Sequence, residues 1–362
     1  MNFDLFFGSI LAVCAPTEFK EFGTALAWEE EPTSEGVLPF VRVIVPLEFA
    51  PNRIQLFERD SPTRPLVAPG DVRQGILGDC YYLGALSVVS THQTMLFDIF
   101  PDINAELSIQ GNAVQGTPAL EQEANKEGLY AVRFWREGQW RIVIVDDRIP
   151  CNALGRPCFA QLPEHGCEIW VLIAEKAFAK LNGSYESIIA GQENEALADI
   201  TGGLPQDYKL HGSDKDPELN PLNLWNALVA HSAADEINLV CASTSQGFSV
   251  EANPDTNPDT NPDTAATHGT SNGIMSGHAY GVVDLKEITF DEAPLQMIKI
   301  RNPWGKGEEW NGAFCDSDIN RWNKIDSTVQ EEMGYSGNKD DGAWWMTLAD
   351  FYSNYDVVNV CR

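Results

Sequence analysis

The sequence predicts an α+β protein of two lobes, the first mainly helical with one hairpin and the second rich in antiparallel strands. Three observations carry this. The chain has 362 residues, beyond the size at which a single hydrophobic core usually stops growing. In the first half the longest apolar patterns repeat at helical spacing, whereas past the break TGGLPQ at 201–206 they shorten to strand-like runs between polar and glycine-rich loops. Apolar residues make up 43% of the chain and aromatics 10%, with 10 Trp and 17 Phe, which supplies material for two packed cores.

In chain order, residues 1–60 form an N-terminal segment of unassigned role, within which VLPFVRVIVPLE at 37–48 alternates as a strand does. SPTRPLVAPG at 61–70 breaks regular structure with prolines and a glycine. A helix then begins at Cys80 in CYYLGALSVVS, with Asp79 placed to cap it. GLYAVRFWR and QWRIVIVDD alternate with period two around Glu137-Gly138, which predicts a hairpin. A long helix is expected over about 167–182, with Trp170, Ala174, Ala177 and Leu181 on one face and Gly183 as its stop. The helical lobe is thus placed at 61–205 and the β-rich lobe at 206–362. In the latter INLVCA, HAYGVVDL, LQMIKI, AWWMTL and DVVNVC read as strands, and NPDTNPDTNPDT at 253–264 reads as an extended loop.

Composition narrows the partners. With 53 acidic against 24 basic residues the formal charge is −29, which disfavours nucleic acid and anionic membrane surfaces and favours cations; the same surplus also serves plain solubility. The eight cysteines show no paired spacing, so free thiols in a reducing compartment are expected. The opening MNFDLFFGSILAVCA lacks a basic n-region and carries Asp4, so it reads as a core segment rather than a leader, although Cys14 leaves lipidation open. No apolar run approaches the roughly 20 residues of a membrane span. A cytoplasmic protein is the expectation.

The chemistry-bearing pattern is QGILGDCYYLGAL at 74–86, where a cysteine follows two glycines and opens a helix whose dipole favours thiolate. A cysteine is also a small apolar core residue, so the pattern needs companions. The side chain of Gln74 and the backbone N–H of Cys80 can supply two donors to an oxyanion. Such a nucleophile requires an imidazole. Of the six histidines, His278 alone begins a strand with apolar framing, in SGHAYGVVDL. Asn302, in IRNPWG at the exit of the next strand, is placed to orient that imidazole if the two strands are antiparallel neighbours, and Trp304 would cover the bond.

In this order, QGxLGDC, GHAYxV and RNPWG resemble the three active-site blocks of the calpain family. VDDRIP at 145–150, EIWVLIAEKAFAKLNGSYESI at 168–188, DITGGLP at 199–205 and DGAWWMTLADF at 341–351 are similar to calpains as well. The resemblance implies a papain-like two-lobed core with the active site in the cleft. It also implies a calcium-dependent intracellular endopeptidase acting on proteins or peptides, with Cys80, His278 and Asn302 catalytic and Gln74 at the oxyanion. A calpain-like scaffold or calcium-binding protein with little activity is the rival reading, which the intact triad opposes. A transglutaminase-type acyltransferase would share the triad but not the RNPWG and TGGLP blocks.

The resemblance further implies two calcium ions, which need hard oxygen ligands. Asp71 and Glu168 occupy the family's carboxylate positions in the first lobe, supplemented by carbonyls near Arg64 and Leu66. Glu309, Asp316 and Asp341 match in the second lobe, where Ala343 replaces a usual carboxylate and weakens the expected site. The chain ends soon after its last strand, which implies that the regulatory domains of many members are absent. Cys151, Cys158, His165 and Cys167 admit a zinc reading, although their spacing is irregular. The NPDT repeat precedes His278, where calpains carry a mobile loop, so a gating or self-cleavage role stands beside that of a passive loop.

Overall fold

The structure is a computed structural model that describes residues 40–42, 56–57, 65–101, 128–151, 156–163, 168–211, 219–229, 237–245, 272–307, 309–337 and 340–362. The NPDT repeat, Arg64, His165, Cys167 and most of residues 1–60 lie outside the described residues. The chain divides into two compact units. Unit 1 draws on 1–79, 92–191 and 199–202, and unit 2 on 80–91, 192–198 and 203–362.

In unit 1, β1 (Phe40–Arg42) pairs antiparallel with β4 (Arg148–Pro150), and β2 (Leu129–Arg136) with β3 (Gln139–Asp146). The β2–β3 hairpin closes where the sequence predicts. Glu137 and Gly138 take φ of 54° and 75°, the two left-handed residues a tight hairpin turn demands, and Arg136 faces Gln139 across it. The helix α2 (Gln93–Asp98) brings Phe97 to 5.1 Å from Phe57.

The long helix α3 runs over Trp170–Asn182, three residues shorter at its start than the periodicity suggests, because Glu168 forms a β-bridge and the Trp170 N–H is taken by the Leu56 carbonyl at 3.1 Å. Its buried stripe includes Trp170, Ala174 and Ala177, and Phe178 packs 5.7 Å from Phe134 of β2. Gly183, at φ 110°, ends it as expected. The Lys180 and Lys176 ammonium groups close over the end of β3, where Lys180 donates to the Ile144 carbonyl at 2.6 Å and Lys176 to the Asp146 carboxylate.

Unit 2 is organised around a six-stranded antiparallel sheet in the order β5–β10–β6–β7–β8–β9. Its strands are β5 (Pro205–Lys209), β6 (Leu239–Ser243), β7 (Ala279–Phe290), β8 (Ala293–Arg301), β9 (Ala343–Thr347) and β10 (Val357–Cys361). Each of the five predicted strand motifs falls on one of these. The helix α1 (Cys80–Val89), which belongs to this unit, packs on β6 and β7. Nine of its ten residues, Tyr81 to Val89, are buried, as an apolar helix laid on a sheet must be.

Gly281 sets the closeness of that contact. A Cβ there would lie 2.7 Å from Ser87 Oγ, whereas one on Gly84 would stand in ordinary contact, 3.7 Å from the Tyr280 backbone. Ser87 Oγ in turn donates to the Gly84 carbonyl at 2.8 Å. The sheet's other contacts form a core of Leu224, Trp225, Val240, Tyr280, Ile298, Trp344, Phe351 and Val358, and a second cluster joins Met297, Phe314, Trp322 and Trp345. The remaining helices are α4 (Glu193–Thr201), whose first six residues belong to this unit, α5 (Pro221–Val229), α6 (Ile319–Trp322), α7 (Ser327–Glu332) and α8 (Leu348–Asn354). Sequence periodicity leaves them unassigned because they are short, and three of them start instead from local caps: Asp318, Asp326 and Thr347 each accept a backbone N–H of the first turn.

Candidate active site

His278 and Asn302 are brought together by the register of two neighbouring strands. His278 immediately precedes β7, Asn302 immediately follows β8, and Gly281 faces Arg301 in the antiparallel pair, so the two ends meet. His278 Nε2 lies 2.9 Å from Asn302 Oδ1, with both residues buried. Asn302 Oδ1 also accepts the backbone N–H of Trp304 at 3.0 Å. A backbone N–H can only donate, so the atom it meets is the amide oxygen, and the imidazole nitrogen facing that oxygen carries the proton. Neutral His278 is thereby held as the Nε2–H tautomer, which leaves Nδ1 with a basic lone pair.

The surrounding residues fix the ring and keep it dry. The Trp304 indole lies 4.7 Å from the imidazole centroid and the Tyr280 ring 4.8 Å away, nearly edge-on. Burial lowers the His278 pKa to about 4, against the upward pull of the bond to Asn302, because a protonated ring would lose more solvation than that bond restores. The backbone of His278 is clamped by Thr244. Its N–H donates to Thr244 Oγ1 at 3.2 Å, its carbonyl accepts the Thr244 N–H at 3.1 Å, and Thr244 Oγ1 donates to the Met275 carbonyl at 2.6 Å. The Met275 N–H donates in turn to the Tyr280 hydroxyl at 2.8 Å. Asn302 is anchored through its own N–H to the Gly342 carbonyl at 2.7 Å.

Cys80 opens α1, in the same unit as His278 and Asn302, and is half-buried as a thiol. It stands at the positive end of the helix, where the dipole favours its anionic form. It lies within electrostatic reach of Tyr280, whose hydroxyl pKa is raised first by burial and further by the Cys80 charge. Gln74 belongs to unit 1, in a loop tied down by bonds from Ile76 N–H to the Cys158 carbonyl (3.0 Å) and from Ala190 N–H to the Gly78 carbonyl (2.9 Å). One N–H of its side chain donates to the Leu77 carbonyl at 2.6 Å.

The expected calcium residues fall into two groups. In unit 1 Asp71 and Glu168 are both buried, and Asp71 Oδ2 accepts the Ala68 N–H at 2.6 Å. In unit 2 the carboxyl of Glu309 is pushed up to about 7, first by burial and then by the charges of Asp316, Asp341 and Asp340, with the Gly342 N–H bond (2.6 Å) opposing. These carboxylates are near enough for their charges to act on one another. Among the described residues, however, no group of three or more His, Cys, Asp or Glu is gathered to hold a metal ion. The donor type, hard oxygen with surplus negative charge, is the one calcium takes. Ala343 pairs with Arg301 at the start of β9 and supplies no carboxylate. The zinc reading finds Cys151 and Cys158 buried in unit 1, with the Cys158 N–H donated to the Pro150 carbonyl at 2.9 Å.

Sequence reasoning misses Thr244, because it meets His278 from just past the end of β6, 34 positions earlier in the chain, and nothing local marks it. It also misses the close approach of Gly281 to Ser87 and Val88 of α1. No helix among the described residues is long and apolar enough to cross a membrane.

The sequence pattern of the calpain family of cysteine proteases matches residues 56–362. The chain is 32% identical over 310 residues to the calpain-type cysteine protease DEK1 of Arabidopsis thaliana, covering 84% of this chain and 12% of that protein. It is 31% identical over 292 residues to calpain clp-4 of Caenorhabditis elegans, and 32% identical over 294 residues to calpain-8 of Rattus norvegicus. In each of these two cases the match covers 81% of this chain and 35% of the relative. The chain thus spans a minor part of the relatives it matches, and the family match over residues 56–362 takes in Cys80, His278 and Asn302. It belongs to the calpain family of cysteine proteases and has that family's α+β papain-like core.

Proposed function

We propose that the chain is a calcium-dependent cysteine endopeptidase that cleaves protein or peptide substrates in the cytoplasm. The observation that carries the reading is the His278–Asn302–Trp304 arrangement, which fixes one imidazole tautomer beside a sheet on which the Cys80 helix is packed. In this reading His278 Nδ1 takes the Cys80 proton, and the thiolate attacks the scissile carbonyl. The negative oxygen of the tetrahedral adduct is met by the Cys80 backbone N–H and the Gln74 amide. The imidazolium then protonates the leaving amine, which leaves a thioester on Cys80. Nδ1 next deprotonates a water that attacks the thioester, and the acid product and free thiol are restored. Throughout, Asn302 Oδ1 holds the Nε2 proton and keeps the ring from turning.

Asp71 and Glu168 in unit 1, and Glu309, Asp316 and Asp341 in unit 2, would hold calcium. When bound, the ion supplies the positive charge that relieves repulsion among these carboxylates. The deciding experiment is cleavage of casein across a calcium titration, run beside Cys80→Ala. Calcium-stimulated cleavage lost in the variant supports the reading. Equal cleavage by both would remove Cys80 as nucleophile, and cleavage unchanged by a chelator would remove the calcium dependence.

A further inference from the structure

A line of three hydrogen bonds runs from Glu309 to the imidazole of His278, all of it within unit 2. Glu309 Oε1 accepts the Gly342 N–H at 2.6 Å, the Gly342 carbonyl accepts the Asn302 N–H at 2.7 Å, and Asn302 Oδ1 faces His278 Nε2 at 2.9 Å. The middle of the line is one residue. Gly342 has a φ of 73°, which favours glycine, and a Cβ on it would lie 2.8 Å from Gly305 Cα, so no side chain fits between the two loops. The turn that carries Gly342 is held to the Asn302 loop at two further points. The Gly307 N–H donates to Asp340 Oδ1 at 2.6 Å, and the Arg301 guanidinium donates to the Asp341 carbonyl.

Asn302 depends on this hold. Its Oδ1 serves both His278 and the Trp304 N–H, while its buried Nδ2 meets no acceptor among the described residues. The amide is therefore placed by its oxygen and its backbone, and Gly342 holds the backbone. Glu309 meets the histidine arm as well. Its carbonyl oxygen stands 1.8 Å from where a Cβ of Gly273 would be, and the Asn311 N–H donates to the Asn272 carbonyl at 3.1 Å. From Gly273 the chain runs straight to His278 through Met275, which is tied to the Tyr280 hydroxyl and to Thr244. We propose that Glu309 is a positioning residue for the His278–Asn302 pair, setting the place of Asn302 through Gly342 by the hydrogen bond that its Oε1 accepts. A carboxyl oxygen accepts in either charge state and an amide oxygen accepts equally, so the role belongs to the acceptor and not to the charge. It needs no bound ion.

This inference rests on His278 being the base and Asn302 its orienting partner, and its test does not depend on peptidase turnover. Full-length Cys80→Ala labelled with ¹⁵N-histidine, kept in chelator so that no ion is held, should show a protected Nε2–H signal that is missing in Cys80→Ala/His278→Gln. Solvent exchange of that proton reads how firmly Asn302 is held. Adding Glu309→Ala should speed the exchange roughly ten-fold, as expected for loss of one buried hydrogen bond, whereas Glu309→Gln should stay within about two-fold of the parent. Should Glu309→Ala not fold, Glu309→Asp decides, because it keeps the charge but withdraws the acceptor by one methylene and should exchange faster than Glu309→Gln. Unchanged exchange in the Ala and Asp variants would overturn the proposal, as would equally fast exchange in Glu309→Gln. So would an equal quickening of the β10 backbone amides, the mark of a general loosening of the sheet. Absent casein cleavage with these spectra as expected would sink the peptidase reading and leave this one standing.

Discussion

His278 Nε2 and Asn302 Oδ1 stand 2.9 Å apart, and the same oxygen receives the Trp304 backbone N–H, so the orientation of the amide is set by a group that cannot flip. The consequence is an imidazole whose lone-pair nitrogen is chosen by the backbone two residues beyond Asn302.

Asn302→Ala should therefore affect activity and stability separately. Without the acceptor the ring can turn, and kcat/KM on a peptide substrate should fall by roughly a hundred-fold, the lower range of what a positioned base contributes. The buried Nε2–H would also be left unsatisfied, lowering the stability of the Cys80→Ala protein by about 1–3 kcal/mol in urea unfolding. An unchanged kcat/KM would show that Asn302 does not orient the base.

The pH dependence of His278 has a definite sign. Its folded pKa of about 4 lies below the unfolded value near 6.5, so the unfolded chain binds the extra proton first. The contribution is present above about 6.5 and is lost as the pH falls toward 4, amounting to roughly 3 kcal/mol at most. Urea unfolding between these limits should show it in Cys80→Ala, where no thiolate can pair with the ring, and should show a flatter dependence in Cys80→Ala/His278→Gln. Equal slopes would mean that the ring titrates as it does in the unfolded chain.

Gly281→Ala tests how α1 is seated. The added methyl would stand 2.7 Å from Ser87 Oγ and 2.9 Å from Val88 Cγ2, closer than packed atoms approach, so helix or strand must shift. Overpacking of this kind costs about 1–3 kcal/mol, and the shift should also reduce the Cys80 alkylation rate. Wild-type stability together with a wild-type rate would refute the contact.

Thr244→Val removes a hydroxyl that accepts from the His278 N–H and donates to the Met275 carbonyl. Both backbone groups lose their partner, and the loss should be about 1–3 kcal/mol in urea unfolding. Because the clamp acts on the proposed base rather than on substrate, kcat should fall with little change in KM. A raised KM at constant kcat would place Thr244 in substrate binding instead.

Calcium should raise the thermal unfolding midpoint of the wild type and shift it less in Glu309→Gln/Asp341→Asn. At a hundred-fold excess over the dissociation constant the stabilisation is about 2.7 kcal/mol. A midpoint unmoved by calcium in the wild type would leave the acidic groups with a solubility role only.

Much of the site was legible because its parts are local. Cys80 is announced by the glycines and Asp79 before an apolar helix, the hairpin by Glu137-Gly138, and the strand flanking His278 by period-two alternation, all properties of residues a few positions apart. The meeting of His278 with Asn302 was inferable only conditionally, on β7 and β8 being antiparallel neighbours, which their register confirms. The late start of α3 at Trp170 and the helices α4 to α8 were not legible, since a bridge at Glu168 and short capped turns leave little periodic signal.

The sequence by itself determined which residue types are available for the chemistry, in which order, and on what local elements, because propensity and periodicity act over a few residues. Tertiary structure alone decided that Thr244 grips His278 and that Gly281 lets α1 approach β7. These contacts join positions far apart in the chain, and distance along a chain carries no information about proximity until the backbone has been closed into sheets and helices.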